Sequence, residues 1–277
     1  MSTVRAMFDE IFGGGLFNGV AEQLMTNPQT TYGSAWSFIE KVYNDFMVPI
    51  ALGLMVVWFL VAFIQKAAVE NVTFESVFLA FTKLIVAKFL IQHGLSILTN
   101  LWSFGIRSIS DISGVLSLQN SGGNIVPQET LEAIWTELTG CSWEKDPGFI
   151  KSLPALVQLM IPWIVAWAMK IIVSFICYSR LIEMIIRMMA APIALSDFMT
   201  EGLHGAGWKY LKTFFAIVFQ GILLYLIAVV FSMLMASVFT GKQGFTEVLT
   251  AYFVFGFSAC ALMFKSLTLS KELFGVN

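Results

Sequence analysis

Residues 46–64 read FMVPIALGLMVVWFLVAFI, a run with no charged side chain. The hydrocarbon core of a bilayer is about 30 Å thick and takes about 20 mostly apolar helical residues to cross, so this stretch has the length of one crossing. Four further runs meet the same requirement. Val77 to Leu101 is apolar around Lys83, Lys88 and His93, and Leu153 to Cys177 carries only Lys170. Thr213 to Thr240 and Val248 to Phe264 are uncharged, the last being short enough that its ends are expected to extend. Lipid offers the backbone no hydrogen-bond partner, and the alternation of a membrane barrel is absent, so the runs are expected to be helices. The sequence predicts an all-α polytopic membrane protein with about five transmembrane helices plus amphipathic interfacial helices.

Composition points the same way. Hydrophobic residues make up 57% of the 277 positions and charged ones 12%, against roughly 25% charged in soluble domains. The 26 Phe and 8 Trp supply rings for lipid contact and for the interfacial belts. A net charge of -2 provides no basic footprint for wrapping a nucleic acid. Three cysteines and two histidines, His93 and His204, argue against a disulfide framework or a zinc site. Residues 1–45 lack the sustained apolar core of a cleaved signal peptide, so the spans themselves are expected to direct insertion.

Around the spans the chain divides into an amphipathic, interfacial segment (1–45), the first two spans (46–101), a loop with amphipathic helices (102–152), the third span with a long extension and an Ala-Pro bend (153–200), and the last two spans with a short tail (211–277). In the first segment Met7, Phe8, Ile11 and Phe12, then Leu16, Phe17, Val20 and Leu24, recur at near-helical spacing around Gly13-Gly14-Gly15. They fit an interfacial helix pair or a loosely ordered tail. In the loop, Ile106, Ile109, Ile112, Val115 and Leu116 continue the second span amphipathically, and Asn120-Ser121-Gly122-Gly123 reads as a turn. Pro127 then opens QETLEAIWTEL, where Leu131, Ile134, Trp135 and Leu138 share a face and Gly140 reads as a helix stop. That face suits local packing or a partner's docking surface.

The chemistry-bearing motifs are few. There is no GxxxxGK[ST] phosphate loop, no HExxH and no GxSxG, so no catalytic, cofactor-binding or metal-ligating residue is expected and any work must be powered elsewhere. Lys83, Lys88 and Lys170 within apolar runs each cost about 2.5–3.5 kcal/mol at a helix centre. Lys88 and Gln92 lie four apart on one face, and Lys170, Ser174 and Cys177 form a second polar stripe. Facing each other they would line a wet path or a subunit boundary; otherwise the lysines snorkel. The third span continues past Cys177 with Arg180, Glu183 and Arg187 on one face, where Glu183 could pair in both directions. Ala190-Ala191-Pro192 is expected to interrupt it. Ala228, Ser232, Ala236 and Thr240 make a ridge of small residues for close helix approach, within the chain or between copies.

RLIEMIIRMMAAPIALSDF, residues 180–198, resembles the hallmark stretch of the TrbL/VirB-type polytopic inner-membrane subunits of type IV secretion and conjugation systems. Arg180, Glu183, Arg187, Ala191, Pro192 and Asp197 occupy the places of its Arg/Glu-bearing turn, Ala-Pro pair and apolar-acidic tail. The span count, the large loop and the overall length are similar to the smaller members. The resemblance implies an inner-membrane channel or scaffold component of a transfer machine, self-assembled in a ring beneath an extracytoplasmic stalk. It also implies partner ATPases, other inner-membrane and stalk subunits, lipids around it and transient protein or DNA cargo. It places the N-terminus and long loop outside the cytoplasm and the C-terminus inside, an orientation that leaves seven basic residues inside against six outside.

Two other classes stay open. A small-solute channel or secondary transporter would use Lys83, Lys88 and Lys170 for an anion, although five spans do not halve into the repeats common in transporters. A passive assembly factor would bury the same lysines against partners.

Overall fold

The computed structural model describes residues 3–12, 19–69, 73–119, 128–143, 149–199, 205–239 and 244–276. Every regular element among them is helical. Two short helices, α1 (Thr3–Phe12) and α2 (Val20–Leu24), precede α3 (Pro28–Thr31). The start of α3 is fixed by Asn27, whose side chain accepts the Gln29 N–H at 3.0 Å, with Pro28 in the first turn where its missing N–H costs nothing. α4 (Gly33–Val42) passes through one π-helical turn, Tyr43–Met47, into α5 (Val48–Val69). The first spanning helix therefore begins at Gly33, well before the apolar run at Phe46 and inside the stretch expected to be interfacial.

α6 (Phe74–Gln119) is a single helix of 46 residues, about 69 Å long at 1.5 Å per residue. The amphipathic stretch after Leu101 continues the same helix. Its serines do not break it, because Ser108 Oγ returns to the Phe104 carbonyl at 3.0 Å and Ser113 Oγ to that of Ser110 at 2.7 Å. α7 (Gln128–Thr139) ends at Gly140, in the left-handed region at φ 63° with its N–H on the Thr136 carbonyl at 2.9 Å. Gly13-Gly14-Gly15, the Asn120–Gly123 turn and Pro127 fall outside the described residues.

α8 (Phe149–Ser196) runs 48 residues, and a 3-10 turn, Asp197–Met199, follows it. The interruption expected at Ala190-Ala191-Pro192 is not there. A proline inside a helix removes one N–H and crowds the carbonyl four residues back, at a cost of about 3 kcal/mol. Here Ala191 and Pro192 are buried, and the Tyr210 hydroxyl donates to the Arg187 carbonyl in the turn before the proline. Packing thus holds the helix to Ser196. α9 (Ala206–Phe239) and α10 (Phe245–Leu273) complete the chain, with Gly275 at φ 61° and Val276 N–H on the Lys271 carbonyl at 2.9 Å closing α10.

Among the described residues, five helices are long and apolar enough to cross a membrane: Gly33–Gln65, Val77–Gly114, Leu153–Ser196, Ala206–Met235 and Phe245–Leu273. Each exposes large apolar side chains, among them Val57, Ile85, Ile161, Val230 and Val254. Exposed apolar surface on every long helix is the mark of a protein solvated by lipid.

The chain forms two compact units. One comprises Met1–Met25, Ile109–Tyr178 and Ile222–Ser266, the other Thr26–Ser108, Ser179–Gly221 and Leu267–Asn277. In the first, α1 buries Val4, Phe8, Ile11 and Phe12. Phe8 meets Trp135 edge-on at 5.4 Å and Phe12 meets Tyr252 at 6.1 Å. Glu137 Oε2 accepts the N–H of Phe245 at 2.8 Å, placing a carboxylate at the positive end of α10. In the second, Trp36, Tyr43, Ile91, Trp102, Met188 and Phe214 share one core. The Tyr43 hydroxyl donates to the Ile91 carbonyl at 2.8 Å and accepts the Leu95 N–H at 3.0 Å. It thus sits between two groups that would otherwise bond each other in the α6 ladder. Gly94 makes room: a Cβ there would lie 2.6 Å from that hydroxyl.

Candidate functional site

The 180–198 segment is a set of fasteners between the C-terminal part of α8 and α9. Arg180 is only 5% exposed, and a buried guanidinium needs acceptors. Its Nε donates to the Ile217 carbonyl at 3.0 Å and its Nη2 to that of Val218 at 3.3 Å. Gly221 leaves the space, since a Cβ there would lie 2.4 Å from the Arg180 Cζ. Arg187 donates from Nε at 3.0 Å and Nη2 at 2.8 Å to Glu183 Oε1. The expected two-way pairing by Glu183 is therefore replaced. Glu183 serves Arg187 in a half-buried pair, and Arg180 turns into the α9 backbone because a carbonyl pair one turn from a glycine lies within its reach. Asp197 Oδ2 accepts the N–H of Ala206, the first residue of α9, at 2.8 Å, answering an orphan donor at the helix's positive end.

The lysines divide between the units. Lys88 and Gln92 are exposed on α6, and Lys83 is half-buried. Lys170 and Ser174 belong to the other unit, where Cys177 of the same stripe is buried. Lys170 finds an acid inside the chain: its Nζ lies 3.7 Å from Glu10 Oε1 on α1. Glu10 Oε2 in turn accepts the Trp163 indole N–H at 2.7 Å, and Gln23 Nε2 donates to Ser174 Oγ at 3.4 Å. An open recess of about 430 Å³ is lined here by Glu10, Trp167, Lys170, Ile171, Ser174 and Phe175. Beside Glu10, burial pushes the Asp9 carboxyl above its ordinary value, against a smaller lowering pull from Arg5.

The proposed docking face on α7 is occupied from within. Leu131, Ile134 and Trp135 are buried and Leu138 is half-buried. Phe8 and Trp143 pack edge-on against Trp135 at 5.4 and 5.9 Å. The Arg5 guanidinium lies 4.5 Å from the Trp143 ring centroid and donates to its carbonyl at 2.8 Å. In the first unit this apolar stripe packs against the chain's own α1. Of the small-residue ridge, Ala228 is buried and Ser232 half-buried, with Ser232 Oγ bonded back to the Ala228 carbonyl at 2.9 Å. The Ala236 side chain and Thr240 lie outside the described residues.

Sequence reasoning missed Glu10, Trp163, Tyr43, Tyr210 and Gly221. Gly221 carried a usable signal as the lone glycine in the uncharged run from Thr213 to Thr240. Glu10 carried none, because its partner lies more than half the chain away.

No curated protein and no solved structure matches the chain. A family model described as TrbL/VirB6 plasmid conjugal transfer like protein matches residues 16–192, a range that includes Arg180 through Pro192 and ends before Asp197. It spans well over half of the 277 residues, and the chain belongs to the TrbL/VirB6 plasmid conjugal transfer like protein family.

Proposed function

We propose that this multi-pass membrane component of a conjugative type IV secretion system builds the inner-membrane path for cargo and the base of the extracytoplasmic stalk. Several copies assemble in a ring, with the N-terminus outside and the C-terminus in the cytoplasm. Partner ATPases supply energy, and neighbouring inner-membrane and stalk subunits complete the machine. The family match over residues 16–192 carries this reading. The exposed Lys88 and Gln92 on α6 are offered as the polar face of the lumen or of a subunit boundary. Lys170, which has Glu10 beside it, is not needed for that role.

Transfer frequency from donor cells tests the proposal. Deleting the gene should abolish conjugation, and a plasmid-borne copy should restore it. A K88L/Q92L copy should insert at the wild-type level yet transfer DNA at least about tenfold less well, the effect of losing about 1.4 kcal/mol of transition-state or assembly energy. Undiminished transfer in the deletion strain would end the conjugation reading. A strictly monomeric, stalk-free extract from conjugating cells would overturn the ring and favour a transporter.

A further inference from the structure

We infer that the recess between α1 and α8 is a headgroup site for one zwitterionic phospholipid carrying a primary ammonium. The first step concerns depth. A long side chain on a helix points back toward the helix N-terminus, and Lys170 accordingly reaches Glu10, which also holds the indole of Trp163 two turns earlier on α8. Trp indoles settle at the membrane–water interface. α1 carries Arg5 and Asp9 beside Glu10, too much charge for the hydrocarbon centre. The recess therefore calls for polar headgroups rather than hydrocarbon around its charges.

The second step concerns unused bonding capacity. The Lys170–Glu10 separation of 3.7 Å exceeds the roughly 2.7–2.9 Å of a close charge-assisted bond. An ammonium has three donors and a carboxylate about four lone-pair sites, so both groups have capacity left and both are partly exposed, at 42% and 38%. A phosphate oxygen fits against Lys170 and the Ser174 hydroxyl, and an ammonium against Glu10. A phosphatidylglycerol headgroup offers Glu10 only neutral hydroxyls and leaves the lipid net negative beside a carboxylate, and a choline headgroup has no N–H to donate to it. The third step concerns the tails. Trp167, Ile171 and Phe175 are 53%, 48% and 66% exposed along one face of α8, an apolar wall that continues from the headgroup pocket down the helix where acyl chains would lie.

Native mass spectrometry of the purified, delipidated protein tests this. Wild type is titrated separately with palmitoyl-oleoyl phosphatidylethanolamine, phosphatidylglycerol and phosphatidylcholine. The expected result is one phosphatidylethanolamine retained about tenfold more strongly than either other lipid, the effect of one charge-assisted hydrogen bond. Glu10→Gln should erase its advantage over phosphatidylcholine, and Lys170→Met should remove the first tightly held lipid altogether, in fractions that elute as wild type does. The wild-type comparison decides the matter even if a variant misfolds. Equal retention of the three lipids, a preference for phosphatidylglycerol, or a protein dimer that forms in place of lipid binding and is lost in Lys170→Met would each overturn the site.

Discussion

Arg180 and Gly221 are best understood together. A charged side chain inside a helix bundle is tolerated here because two carbonyls of α9 receive it and a glycine leaves space beside them. Gly221→Ala should force the guanidinium off those carbonyls, and Gly221→Leu more so, at a cost of about 1–3 kcal/mol for overpacking. Thermal unfolding in detergent would show it as a lowered midpoint. The two residues should also be non-additive: Gly221→Ala should do less harm in an Arg180→Lys background, whose single ammonium does not fill the same space. Additive losses would mean the close approach does not matter. Sequence reading puts Arg180, Glu183 and Arg187 on one helical face by their spacing. It could not see that Arg180 would leave its acidic neighbour for a backbone, because i,i+3 and i,i+4 rules describe a helix with nothing beside it.

At the scale of elements, α8 separates what hydropathy reveals from what it hides. The apolar run from Leu153 to Cys177 was legible, while the helix extends from Phe149 to Ser196. The continuation past Cys177 was legible too, but its persistence through Pro192 to Ser196 was not, because it comes from contacts that no local window contains, notably the burial of Ala191 and Pro192 and the hydroxyl of Tyr210. For Pro192→Ala we expect normal membrane insertion, since the replacement adds an amide that the Met188 carbonyl can accept, together with a reduced yield of assembled complex as the turn above Asp197 relaxes. Quantitative immunoblots of membranes and of the purified assembly check both halves. Full assembly combined with lost transfer would instead place Pro192 against the cargo.

For the whole molecule, orientation remains the property that charge counting leaves nearly balanced, and one thiol can settle it. Cys141 is half-buried at the end of α7, while Cys177 and Cys260 are buried. With the N-terminus outside, a membrane-impermeant maleimide added to intact spheroplasts should label Cys141 and nothing else. Labelling that appears only after lysis would invert the topology. Fold class and span count were legible because lipid imposes them on composition. The Glu10–Lys170 recess was not, because it depends on α1 returning to a helix that begins more than a hundred residues later. The hydroxyl of Tyr43 stands where α6 could close its own ladder, so the tie between the first two spans uses a donor and an acceptor that α6 can also pair with each other. Tyr43→Phe is expected to let Leu95 bond Ile91 directly, keeping the second span helical while it loses the hydrogen bonds that hold the first span against it.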